Sequence, residues 1–222
     1  MRKDDWLNLI NGMAPDEAGR LTIADREQAL ALAVIRYSTD RPVMEAADVV
    51  TEDGYTVPLP EGWDTEYSRV SALELPGSVP PLMLARDVWT AHRIPGQDVL
   101  LLVSPQTNGQ TLRVHFTLPH VLDEDRDTIP ATDREAVAHW AAGLLLDALA
   151  GKYAGDKQST IQSDSVDHAA KMPNYKALAD AQRQAYWNHL GIDPKRTVAA
   201  GVVVSVGQPR LTHTGPRNRR RA

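Results

Sequence analysis

Apolar positions recur at two different spacings along this chain. Ile23, Leu30, Val34 and Tyr37, with Ala33 on the same face, follow helical spacing. Thr22 precedes Ile23-Ala24-Asp25. That order resembles a capping box with Asp in place of Glu and predicts where the helix begins. Arg36 lies near the far end, where a cation suits the helix dipole. Pro42 disfavours a helical Arg41, so the helix stops there. A shorter helix over 3–10 precedes it and should stop near Asn11-Gly12.

From residue 43 to about 122 the pattern changes. Pro58, Pro60, Gly62, Pro76, Gly77, Pro80, Pro81, Pro95, Gly96, Pro105 and Gly109 separate short β-prone runs over 44–50, 68–75, 99–103 and 112–118. Leu112, Val114, Phe116 and Leu118 alternate with Arg113, His115 and Thr117, as in a strand buried on one face. Asp53-Gly54 and Asn108-Gly109 read as hairpin turns. Short strands between turns predict a small antiparallel sandwich or barrel, with Trp63 and Trp89 as its bulky packing residues.

Helical spacing then returns. Thr132-Asp133-Arg134-Glu135 reads as a full capping box opening a helix over 136–153. Val137, Trp140, Ala141, Leu144, Leu145 and Ala148 form its wide apolar face, so this helix should be buried among others. Gly151, Gly155 and Asp156 break it, and Ser163-Asp164-Ser165 caps a further piece. Pro173 is expected to interrupt that piece and to begin a fresh turn. Tyr175, Leu178, Ala179, Gln182, Ala185, Tyr186 and Leu190 share one face up to a stop at Gly191. The apolar, β-prone stretch 199–206 follows, then a Pro- and Arg-containing tail.

The expected fold class is therefore α+β. N-terminal helices (1–42) and C-terminal helices (126–192) form one bundle. A small antiparallel β-sandwich or barrel (43–125) is inserted between them, and an extended arm (193–222) follows. The arm has two readings: a strand that returns to its own β domain, or one that adds to another chain.

Composition narrows the chemistry. With no Cys among 222 residues, disulfides, thiolate metal sites and Cys nucleophiles are excluded, and a reducing compartment is compatible. The longest apolar runs, 99–103 and 199–204, fall well short of the ~20 residues of a membrane helix. The opening Met-Arg-Lys-Asp-Asp-Trp does not predict a secretory leader. Net charge is −5, yet Arg217, Arg219, Arg220 and Arg221 crowd the last six residues, leaving an acidic body with a basic tip. That tip is either a solvated terminus or an arm for an acidic surface or phosphate backbone.

Phosphate loops, dinucleotide fingerprints and nucleophile elbows are absent from the sequence. No two of the seven His stand at the spacing of a helical zinc site. His115 and His120 share a strand end and read as polar strand and turn residues before they read as a metal pair. Ser165 and His168 sit on one short turn with Asp164 and Asp167, where capping accounts for them better than a catalytic triad, which draws on separated elements. The acidic run 123–127 lacks the ligand spacing of a calcium loop and reads as a solvated connector. No catalytic, cofactor-binding or metal-binding residue is expected, and the chain does not read as an enzyme. A DNA-binding role for Arg217–Arg221 runs against the overall acidity.

Several runs resemble the neck proteins of tailed bacteriophages. They are Arg20-Leu-Thr-Ile-Ala-Asp-Arg-Glu-Gln-Ala-Leu, Arg36-Tyr-Ser-Thr-Asp-Arg-Pro42, Leu59-Pro-Glu-Gly-Trp63 with Ser68-Arg-Val70 and Glu74-Leu-Pro76, and Arg113-Val-His-Phe-Thr-Leu-Pro-His120. Thr128-Ile-Pro130, Glu135-Ala-Val-Ala-His-Trp-Ala-Ala142, Asp164-Ser-Val-Asp-His168, Lys171, Tyr175 and Tyr186 extend the resemblance over roughly 20–192. Pro173 departs from the unbroken helix that the resemblance implies.

The resemblance is to head-to-tail connectors, or adaptors. It implies a structural virion protein that forms a ring, commonly of twelve copies, between the portal protein and the tail or its terminator. The ring extends the DNA channel without sequence-specific binding, and the protein assembles in the host cytoplasm. A tail-completion or terminator ring is the alternative. An acidic wall would keep passing DNA from sticking. The expected partner-binding residues, toward portal or a neighbouring subunit, are Val202, Val203, Val204, Val206, Arg210, Arg217, Arg219, Arg220 and Arg221.

Overall fold

The computed structural model describes residues 1–16, 18–77, 79–94, 97–154 and 168–195. Among the described residues four helices, α1 (Lys3–Met13), α2 (Ile23–Asp40), α3 (Arg134–Ala154) and α4 (His168–Leu190), flank seven strands in sequence. The strands are β1 (Val43–Val50), β2 (Thr56–Pro58), β3 (Val70–Leu75), β4 (Leu82–Met83), β5 (Trp89–Ile94), β6 (Gln97–Leu102) and β7 (Thr111–Leu118). The α+β class expected from sequence is the one observed.

Helix α3 is the axis of the bundle and packs against α1, α2 and α4. Its Ala136, Val137, Ala138, Ala141, Ala142, Leu145, Leu146 and Leu149 are all buried, as expected of a central helix. Small residues let the backbones approach closely. A Cβ on Gly143 would lie 3.3 Å from the Ala179 carbonyl oxygen on α4. Trp6 and Ile10 of α1, and Leu30, Ala33, Val34 and Tyr37 of α2, complete this core. The Thr22 box forms as expected: Thr22 Oγ1 accepts from the Asp25 amide at 3.1 Å, and Asp25 Oδ2 accepts from the Thr22 amide at 2.9 Å.

The strands form two antiparallel sheets, in the orders β1-β7-β3-β4 and β2-β6-β5. Val49, Val57, Val70, Leu73, Trp89, Leu100, Leu102, Leu112, Val114 and Phe116, drawn from both, bury one core. The result is a sandwich. Trp63 packs on it with its ring centroid 6.0 Å from that of Phe116. Chain enters the sandwich through β1 and leaves through β7, and these two strands pair along their whole length, from Val43 opposite Leu118 to Val50 opposite Thr111.

Several local expectations are corrected. Asp53-Gly54 and Asn108-Gly109 do not close hairpins. Each stands where the chain passes from one sheet to the other, between β1 and β2 and between β6 and β7. Gly54 has φ 81° and lies under the Gln106 carbonyl, where a Cβ would come within 2.6 Å. Helix α1 continues through Asn11-Gly12 to Met13. Pro173 lies inside α4 without interrupting it. The Thr132 box is replaced by a 3-10 turn, Ala131–Asp133, that leads into α3, and Glu135 lies exposed beside His139. Ile23, Leu178 and Ala148 face outward rather than into the core. Strands β2, β4 and β5 carry no alternation strong enough to have been read from sequence.

Candidate assembly interface

The partner-binding residues expected from sequence, Val202, Val203, Val204, Val206, Arg210 and Arg217–Arg221, lie outside the described residues. So do Asp164, Ser165 and Asp167, while His168 begins α4. What the structure does place is the end of α4, which precedes those residues, and the polar hub that holds that end.

The hub lies where the bundle meets the sandwich. Tyr37 donates to Asp133 Oδ2 at 2.6 Å, Arg41 donates to the same oxygen at 3.1 Å, and His189 Nε2 lies 3.3 Å from Oδ1. Burial alone would raise the Asp133 pKa; the hydrogen bonds of Tyr37, His189 and Thr132 and the charge of Arg41 outweigh it, and the carboxyl is held below its ordinary value. Burial, followed by the hydrogen bond to Asp133, pushes the Tyr37 phenol up. A second carboxylate, Asp40, accepts from Tyr186 and Arg36, each at 2.7 Å. Arg41 also donates to the carbonyl of Leu190 at 3.2 Å, which fixes the end of α4 beside the start of β1.

The sandwich is tied to this hub through Ser38. Its Oγ accepts from the His120 amide at 2.9 Å and donates to the Val34 carbonyl at 2.7 Å. Tyr67 donates to the Ser38 carbonyl. His120 is buried, with Nε2 2.9 Å from the Arg41 carbonyl and Nδ1 3.1 Å from Thr128. His115, by contrast, stands on the outer face of the first sheet, 2.9 Å from Glu74. There Arg113 bridges Asp48 at 2.7 Å and Glu74 at 3.4 Å, crossing β1, β7 and β3. The Arg113 hydrogen bond holds the Asp48 carboxyl below the usual range. The two histidines thus serve different surroundings. Among the described residues no group of three or more His, Asp or Glu is arranged to hold a metal ion.

The acidic run is structural in part. Asp123 Oδ1 accepts the amides of Asp125 and Arg126 at 2.9 and 2.7 Å. Asp127 Oδ2 takes Trp6 Nε1 at 3.3 Å and Arg134 at 3.1 Å, pinning α1 to the start of α3. Sequence reading missed these roles, because the partners are far apart in the chain. The signal available was the cluster of charged and hydroxyl residues, 38–41, at the end of a helix that faces a junction.

Apolar side chains are exposed on several elements among the described residues, α2 and β1 included. Helix α2 exposes Ile23, Leu32 and Ile35, and β1 exposes Met44 and Val50. A shallow groove beside Trp187, lined by Gln184, Asn188 and 191–194, marks the point where the chain leaves α4. No helix among the described residues is long and apolar enough to cross a membrane.

No family model and no curated protein matches this chain. Solved structures similar to it include the following two. One is the neck of an empty GTA particle computed with C6 symmetry, at 12% identity and TM-score 0.28, covering 77% of this chain and 88% of that one. The other is the virion of a native gene transfer agent (GTA) particle, at 12% identity and TM-score 0.25, with the same coverage of 77% and 88%.

Proposed function

We propose that this chain is a structural protein of a virion neck. It acts as a head-to-tail connector, forming a ring between portal and tail and extending the channel through which DNA passes. The ring is taken as twelve copies, as is common in the family it resembles. The bundle halves 1–42 and 126–192 build the ring, the insert 43–125 decorates it, and the arm 193–222 engages the portal or a neighbouring subunit through Val202–Val204, Val206 and the Arg-rich tip. Assembly takes place in the host cytoplasm.

What supports the reading is where the resembling residues stand. Arg36 and Tyr186 meet on Asp40. His120 ties the sandwich to Arg41 and Ser38. Trp63 packs against Phe116. The run from Glu135 to Ala142 opens the central helix. The residues that carry the resemblance thus stand at packing positions within the bundle, within the sandwich and, at His120, between the two.

The test is imaging of particles assembled without the chain. Filled heads that lose their DNA, beside free tails of normal length, are expected. Tails of abnormal length would assign the chain to the terminator instead and overturn the connector reading.

A further inference from the structure

Sheet edges expose unpaired backbone donors and acceptors, and proteins ordinarily blunt them. Among the described residues four strands stand at sheet edges, and three are the shorter ones. β4 is two residues long, β2 is three and ends in Pro58, and β5 is six. The fourth, β1, is different. It runs for eight residues, Val43–Val50, pairs among the described residues only with β7, and does so in unbroken register. It has no Pro, no Lys and no bulge, and its two charges, Glu45 and Asp48, are both acidic. Met44, Ala46 and Val50 along it are exposed.

The chain supplies a segment of matching length. Residues 199–206, Ala-Ala-Gly-Val-Val-Val-Ser-Val, are uncharged, β-prone and eight long, with Lys195 and Arg196 before them and Arg210 after. They lie outside the described residues. We infer that the free edge of β1 is the docking site for residues 199–206 of a second copy of this chain, added as an antiparallel strand. The inference rests on the ring reading above and names the surface that one subunit offers the next.

Direction argues for a second copy. Helix α4 ends against Arg41, two residues before β1 begins, and 191–194 fold back on its last turn, the Ile192 amide donating to the Trp187 carbonyl at 2.9 Å, so the described chain ends toward the Val43 end of β1. From Lys195 to Ala199 an extended chain reaches at most about 14 Å. Antiparallel entry on β1 starts at Val50, about 24 Å along the strand from Val43. Entering from the Val43 end, the subunit's own tail would lie parallel to β1, whereas every described ladder in the sandwich is antiparallel, the slightly more stable pairing. A neighbour's tail has no such limit. In that alignment its Lys195 and Arg196 come to Glu52 and Asp53, just beyond Val50, so the charges are complementary.

The absence of native Cys gives a clean test. Full-length chains carrying Ala46→Cys are mixed with differently tagged full-length chains carrying Val202→Cys, Val203→Cys or Val204→Cys, and oxidised both as purified protein and in assembled particles. A148C, on the exposed side of α3, serves as the collision control. The expected result is a disulfide between the two tagged chains. Its yield should alternate along 202–204 with the period of a strand and exceed the control several-fold. Bonds formed only within one chain, in Ala46→Cys/Val203→Cys double variants, would overturn the inference. So would yields no higher than the control in both preparations. Particles that show the ring but no such bond leave the connector reading standing and remove this one; particles with no ring remove the connector reading itself.

Discussion

Asp133 is the residue on which three helices of the bundle agree, and its replacement gives a measurable account of the hub. Its side chain is 7% exposed, and it collects Tyr37, Arg41 and His189 from α2, the α2–β1 link and α4. Asp133→Asn keeps the shape and an acceptor for Tyr37 but removes the charge. A hydrogen bond to a charged group contributes about 1.5–3 kcal/mol against about 0.5–1.5 for a neutral one, so the Tyr37 bond loses about 1 kcal/mol. The Arg41 side chain is 48% exposed and therefore screened, and its pair contributes no more than about 1 kcal/mol. The expected destabilisation near neutral pH is about 1–2 kcal/mol. Asp133→Ala should cost more, about 3 kcal/mol, because the buried Tyr37 hydroxyl is left without its acceptor. The pH dependence has a definite sign. The folded carboxyl titrates below its ordinary value, so its contribution is complete above the unfolded value of about 3.9 and is lost as pH falls through the lower folded value. Urea titrations followed by tryptophan fluorescence, at pH values from about 8 down to about 3, should give a constant wild-type to Asp133→Asn difference that shrinks only below about pH 4. A difference under about 0.5 kcal/mol near neutral pH, or one unchanged in acid, would refute the reasoning.

Two further outcomes follow from the packing. Gly143→Leu forces side-chain carbons against the Ala179 carbonyl, where even a Cβ sits at 3.3 Å; thermal unfolding should show a loss of about 2–3 kcal/mol, within the range of overpacked cores. Removing residues 197–222 leaves in place every described member of the two hydrophobic cores, all of which lie at or before Ile192. The truncated chain should melt at the wild-type temperature yet fail to join heads to tails, and infectious particles made with it would contradict the role given to the arm.

Sequence reading succeeded where local chemistry decides the outcome. The Thr22 box, the alternation from Leu112 to Leu118 and the apolar α3 are each written in a dozen neighbouring residues. It went astray where distant residues decide. Asp-Gly and Asn-Gly fix a tight bend but not which strands it joins, and here both bends serve crossings between sheets. Ile23 and Leu178 keep helical spacing but are exposed, with none of the described elements packed over them. Pro173 lacks one backbone donor and is nonetheless carried within α4. Asp133 looked like part of a capping box; its true partners, Tyr37, Arg41 and His189, are 56 to 96 residues away. The arm's expected contacts lie wholly beyond the described residues.

The insert's two ends meet side by side, Val43 across from Leu118. Neighbouring strands are about 5 Å apart, a gap that a tight turn spans. The helices therefore see the sandwich much as a single oversized loop, and a substitute that brings its two ends that close would cost them the Tyr67 bond to Ser38 but not their packing on one another. On the connector reading, the decoration of the ring is thereby free to diverge while the bundle proposed to build it stays constant.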